Sequence, residues 1–87
     1  MDTSTFSLVI TTLQQNMPPD IPKNLVCETA DLQNELGFDS LGIATVAMEL
    51  YTVIVFDLDY FAEKIGEVRT VSDLIRVLGE AESETKQ

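Results

Sequence analysis

The chain has 87 residues, which is one small domain with a single core and little stability to spare. An apolar share of 45% supplies that core and excludes a disordered tail. Acids outnumber bases 15 to 5, for a net charge of −10 and a pI near 4.1. No basic surface is left to neutralise nucleic-acid phosphates or an anionic membrane face, so neither is expected as a partner. Basic proteins are the natural complement.

Missing residue types narrow the chemistry. With no histidine, the chain can form no Ser-His or Cys-His pair and no imidazole metal ligand. One cysteine, Cys27, excludes an internal disulfide and fits a reducing compartment. Met1-Asp2-Thr3-Ser4 lacks the basic start of a secretory leader. The most apolar stretch, Leu41 to Phe56, is interrupted by Gly42, Thr45, Glu49 and Thr52 and falls short of the ~20 residues of a membrane span. A cytoplasmic monomer is the expectation.

In chain order, Phe6, Val9, Ile10, Leu13 and Met17 recur at intervals of three and four, predicting an amphipathic helix from Thr3 to Asn16. Thr3 or Ser4 can cap it, and Pro18, Pro19 and Pro22 end it. Residues 17–39 read as a long connection pinned to the core by Ile21, Leu25, Val26, Leu32 and Leu36. Asp31 to Leu36 predicts a single helical turn, capped by Asp31 and stopped by Gly37.

Asp39 stands as the N-cap of a second helix beginning at Ser40. Its polar residues Gly42, Thr45, Glu49 and Thr52 form one narrow stripe, and the rest of the cylinder is apolar. The helix is therefore buried or presents an apolar face to something. β-Branched Thr52-Val53-Ile54-Val55 ends it. A short third helix spans Asp59 to Ile65 and closes at Gly66. Thr70-Val71-Ser72-Asp73 forms a capping box for a fourth, with Val71, Leu74, Ile75 and Leu78 on its inner face and Gly79 as its stop. Glu80 to Gln87 holds no large apolar side chain and reads as a frayed acidic tail.

The chemistry-bearing candidate is Gly37-Phe38-Asp39-Ser40-Leu41. Taken alone it is a common helix cap; its other reading is a primary hydroxyl at an exposed helix N-terminus, where free N–H groups favour an attached phosphate. Asp57-Leu58-Asp59 suggests a calcium loop, but loop position 6 is Ala62 rather than Gly and position 12 is Val68 rather than Glu, so the EF-hand idea fails. Residues 57–87 hold eight acids and four bases, a mostly solvated surface of which a part can guide docking onto basic enzymes.

The helix order, the long first loop, Leu36-Gly37-Phe38-Asp39-Ser40-Leu41 and the downstream Thr70-Val71-Ser72-Asp73-Leu74 together resemble the acyl carrier protein family, from Phe6 to Leu78. The resemblance implies an all-α fold, a small four-helix bundle with a long first loop and a short third helix. It implies a carrier domain over 1–79 that is not itself an enzyme, and the expected flexible acidic tail over 80–87 with the initiating Met1 favours a freestanding carrier. Ser40 would accept 4′-phosphopantetheine from coenzyme A through a phosphopantetheinyl transferase. The arm would then hold acyl intermediates as thioesters for acyl-loading, condensing and tailoring enzymes. Asp39 would serve transferase recognition and Leu41 docking. An apolar crevice between the second and third helices, lined by Val46, Ala47, Leu50, Phe61 and Ile65, would shelter cargo; plain core packing is the competing reading of those five. Cys27 would be a small loop residue and not the thiol that carries acyl groups.

In this family acidic residues usually follow the Asp-Ser-Leu, whereas here Gly42, Ile43, Ala44 and Thr45 stand there and Glu49 alone is charged. That departure points to dedicated partners in polyketide-type or specialised fatty-acyl biosynthesis. Two alternatives stay open: an aminoacyl or peptidyl carrier, and an unmodified helical module that docks through its apolar second helix. A hydrolase using Ser40 lacks a base.

Overall fold

The computed structural model describes residues 3–85, and side chains from 5 to 83. Four α-helices carry the fold: α1 (Thr3–Asn16), α2 (Ser40–Tyr51), α3 (Leu58–Lys64) and α4 (Val71–Thr85). Two 3₁₀ turns, Lys23–Leu25 and Ile65–Glu67, complete it. The only β pairing among the described residues is one antiparallel bridge between Asp31 and Thr70. The chain is thus a small all-α bundle, as its periodicities predict. No helix among the described residues is long and apolar enough to cross a membrane.

α1 buries Val9 and Leu13 and packs on α2, while Met17 beyond its end is buried too. The cap expected at Thr3 or Ser4 lies outside the described side chains. After the prolines the connection is fastened at several points. Leu32 N–H donates to Arg69 O at 2.8 Å, Val71 N–H to Ala30 O at 3.1 Å and Ser72 N–H to Glu28 O at 2.9 Å. Ala30, Leu32 and Leu36 enter the core, but Leu25, expected to help pin the loop, is exposed. This tethering offsets the chain entropy of so long a loop.

Residues 31–36 form a hydrogen-bonded turn rather than helix. The Asp31 carboxylate accepts from Gln33 N–H at 3.0 Å and Asn34 N–H at 2.8 Å, and Asp31 O accepts from Glu35 and Leu36. Asp31 N–H in turn donates to the Glu35 carboxylate at 2.9 Å. Asp31 therefore caps as predicted, but a side chain that satisfies its own turn gives the backbone little reason to extend into helix.

α2 turns Ile43, Val46, Ala47 and Leu50 inward. From its end, an aromatic run joins it to α3. Tyr51 meets Phe56 edge-on with ring centroids 5.3 Å apart, and Phe56 lies 5.9 Å from Phe61. α3 starts one residue earlier than predicted because Asp57 caps it, accepting from Tyr60 N–H at 3.0 Å. Gly66 falls within the following 3₁₀ turn.

The predicted capping box of α4 is present: Asp73 N–H donates to Thr70 Oγ1, and the Asp73 carboxylate accepts from Thr70 N–H and Arg69 N–H. Val71, Leu74, Val77, Leu78 and Ala81 form its buried stripe against α3 and the core. Gly79 does not stop this helix. α4 continues to Thr85 and Ala81 is wholly buried, so 80–85 is helix rather than a frayed tail. The small Ala81 keeps the stripe in register where the sequence shows no large apolar residue. Lys86 and Gln87 lie outside the described residues.

Candidate functional site: the start of α2 and its cleft

The approach to Ser40 is built by three consecutive residues with different duties. Gly37 has φ +78°, a conformation that costs an L side chain, and a Cβ there would lie 3.0 Å from Ile21 Cδ1 and 3.1 Å from Pro18 Cγ. Phe38 turns into the core, its N–H donating to Leu32 O at 2.7 Å. Asp39 is extended and its carboxylate accepts from Gly42 N–H at 2.8 Å, satisfying one orphan donor of the first turn. Gly42 also gives room, since a Cβ would sit 3.2 Å from Phe38 Cδ1 and 3.3 Å from Asp39 Oδ1.

Ser40 is then exposed, and its hydroxyl makes no hydrogen bond among the described residues. The chain holds no histidine to activate it. Leu41, the predicted docking residue, is 74% exposed. Further along the outer face of α2, Met48 is 53% exposed and Tyr51 is uncovered, while Val53 and Val55 continue the apolar exposure into the loop. Thr45 and Thr52 return their hydroxyls to backbone carbonyls at 3.0 and 2.6 Å. Glu49 is the single charge on the helix.

A cleft of about 420 Å³ opens beside Ser40, within the range of small-ligand sites. Leu32, Phe38, Ile43, Ile65 and Val68 supply its apolar lining; Asp31, Gln33, Asn34 and Arg69 supply a polar side. Backbone bonding between Leu32 and Arg69 makes those polar residues neighbours. Of the five predicted pocket residues only Ile65 lines the cleft. Val46, Ala47, Leu50 and Phe61 are packed in the core, the competing reading of those positions. Ile43 was missed although it stands three residues after Ser40, one turn along the same helix. Arg69 and Gln33 left no periodic signal, because the bridge that assembles them joins distant loops. A second depression, about 450 Å³, lies at the far end of α2 between Tyr51, Phe56, Leu58, Asp57 and Asp59.

Two carboxyls near this end of the molecule titrate low. Asp31 is held below the ordinary value of 3.8, first by the Asn34 N–H; burial opposes this, and the Gln33 N–H, the Asn34 amide and the Arg69 guanidinium add to it. For Asp73, burial pushes upward, but the Arg69 and Thr70 N–H groups, the Thr70 hydroxyl and Arg76 together outweigh it. Among the described residues no cluster of three or more metal-ligating side chains occurs.

Comparison with known proteins yields no matching family model, curated protein or solved structure.

Proposed function

We propose that the chain is a carrier protein whose Ser40 takes a 4′-phosphopantetheine arm. The observation that carries this reading is the serine's position. Its hydroxyl is exposed and spare on the first residue of a capped helix, beside a cleft, in a bundle whose element order resembles acyl carrier proteins.

The residues present fit such a group. Ser40 N–H and Leu41 N–H lie in the first turn, ahead of the N–H groups that Asp39 satisfies, and with the helix dipole they favour a phosphodiester on Ser40 Oγ. With no base of its own, Ser40 must lose its proton to the transferase as its oxygen displaces adenosine 3′,5′-bisphosphate from coenzyme A. Asp39 holds the serine at the helix start, and Leu41 with Met48 offers apolar surface to partner enzymes. The arm's terminal thiol supplies the thioester chemistry. Basic or apolar patches on acyl-loading, condensing and tailoring enzymes complement this acidic chain with its apolar second helix, and polyketide-type or specialised fatty-acyl work fits that departure from acidic docking. The chain itself performs no reaction. An aminoacyl carrier would use the same serine and differ only in its loading enzyme.

A second reading is favoured by the uncovered Leu41, Met48 and Tyr51: an unmodified module docking through α2. One experiment separates the two. The purified protein is incubated with coenzyme A, magnesium and a broad-specificity transferase, and intact mass is recorded beside Ser40→Ala. Gain of one arm, absent in the variant, is expected. No gain with several competent transferases sinks the carrier and leaves the docking module.

A further inference from the structure

The cleft beside Ser40 is not the uniformly greasy crevice that a saturated chain requires. Against Ile43, Ile65 and Val68 stand Gln33 and Arg69. Arg69 is the one basic side chain in the cleft lining. Lys64 pairs with Glu67, and Arg76 with Asp73 and Glu80, whereas the Arg69 guanidinium, like the Lys23 ammonium outside the cleft, makes no hydrogen bond or ion pair among the described residues. The Gln33 amide likewise has no side-chain partner there. In a chain of net charge −10, this exposed guanidinium on the wall of a cleft presents up to five N–H donors that are hydrated until cargo arrives.

We propose that Gln33 and Arg69 make this cleft selective for oxygenated acyl chains, whose keto or hydroxyl oxygens accept from them, over saturated chains of equal length. This rests on the carrier reading of Ser40. Both side chains are exposed, so an alkyl chain filling the cleft displaces only part of their water, but it returns no acceptor, a cost that a carbonyl at the same position removes. Anionic cargo is disfavoured. Asp31 lies within Coulombic range of Arg69 and offsets its charge, and Asp39 adds a second carboxylate to the lining. The guanidinium is thus left as a hydrogen-bond donor to neutral oxygen more than as an anion receptor.

The test loads the full chain from octanoyl- and 3-oxooctanoyl-pantetheine forms of coenzyme A, checks intact mass, and maps backbone amide shifts by NMR. The same comparison is made on the unmodified chain titrated with S-octanoyl- and S-(3-oxooctanoyl)-N-acetylcysteamine. The oxo probe should shift the Ile43, Ile65 and Val68 amides and bind about fivefold more tightly than the saturated one, roughly the worth of one partly exposed hydrogen bond. Arg69→Met should erase that preference and Arg69→Lys should keep part of it. Arg69's backbone bonds to Leu32 and Asp73 survive both changes, and unchanged amide spectra away from the cleft confirm folding. Equal or better binding of the octanoyl probe, unaltered by Arg69→Met, overturns the selectivity while loading still upholds the carrier. Failure to load overturns the carrier reading, and the untethered titration still decides what the cleft prefers.

Discussion

The starts of α2 and α4 use the same kinds of residue to opposite ends. At α4, Thr70 and Asp73 both put their side chains to work at the helix start: the hydroxyl accepts from Asp73 N–H, and the carboxylate accepts from the Arg69 and Thr70 N–H groups. At α2, Asp39 does the capping alone and the Ser40 hydroxyl is left over. The contrast continues along the helices. Arg76, Asp73 and Glu80 cover the outside of α4 with charge, and Tyr60 OH donates to Glu80 at 3.0 Å. The outside of α2 carries Leu41, Met48 and Tyr51 with one carboxylate. α4 is complete within the fold, whereas α2 keeps both a hydroxyl and an apolar face available to another molecule.

The largest effect that sharpens this comparison comes from the two faces of α2. Leu50→Ala removes a wholly buried side chain and should cost about 2–5 kcal/mol in urea unfolding. Met48→Ala, two residues earlier and facing out, should stay within about 0.5 kcal/mol. Comparable losses at both sites would mean that the outer face is covered in solution and that α2 resembles α4 after all.

Gly37→Ala comes next, at about 1–2 kcal/mol, because the left-handed backbone and the close Ile21 and Pro18 side chains both resist a Cβ. A neutral outcome in denaturant titration would show that the loop relaxes, and that the approach to Ser40 is less fixed than its contacts indicate.

Much of this was legible because helices announce themselves by period. The spacing of Val9 and Leu13, and of Leu74 and Leu78, places α1 and α4, and Asp39 marks the start of α2 to the residue. The misreadings have a common physical cause, which is that small or polar residues were judged without their tertiary partners. Gly79 looks like a stop until Ala81 is found carrying the buried stripe onward. Val46 and Leu50 are apolar and follow Ser40 on α2, and Phe61 stands on the neighbouring α3, but each helix turns these side chains into the core. The polar side of the cleft needs Asp31 to Asn34 and Arg69 to meet across the Asp31–Thr70 bridge, a long-range pairing that no local pattern encodes.

The caps give smaller effects. Asp39→Ala and Asp73→Ala should each cost about 1 kcal/mol. Asp73 and Asp31 titrate below 3.8 in the folded chain, so their contribution is present above that pH and is lost as pH falls through the lower folded values. Acid unfolding should therefore steepen below about pH 4, and Asp31→Asn with Asp73→Asn should flatten it. An unchanged acid limb in the double variant would remove these two carboxyls from the account.

The smallest expected effect is the most informative. Thr70→Ala deletes a hydroxyl that α4 uses and should lower stability by about 1 kcal/mol. Ser40→Ala deletes one that α2 does not use, and alanine is at least as good a helix former, so the change should stay within about 0.5 kcal/mol. A thermal or urea titration of the two variants side by side decides it. A loss at Ser40 equal to that at Thr70 would make the serine a structural cap like its counterpart. The hydroxyl would then not be spare, and the argument for an attached arm would lose its physical footing. Near-neutrality at Ser40 leaves a residue that the fold does not need at a position the fold takes care to expose, set up by a left-handed glycine, a buried phenylalanine and a capping aspartate.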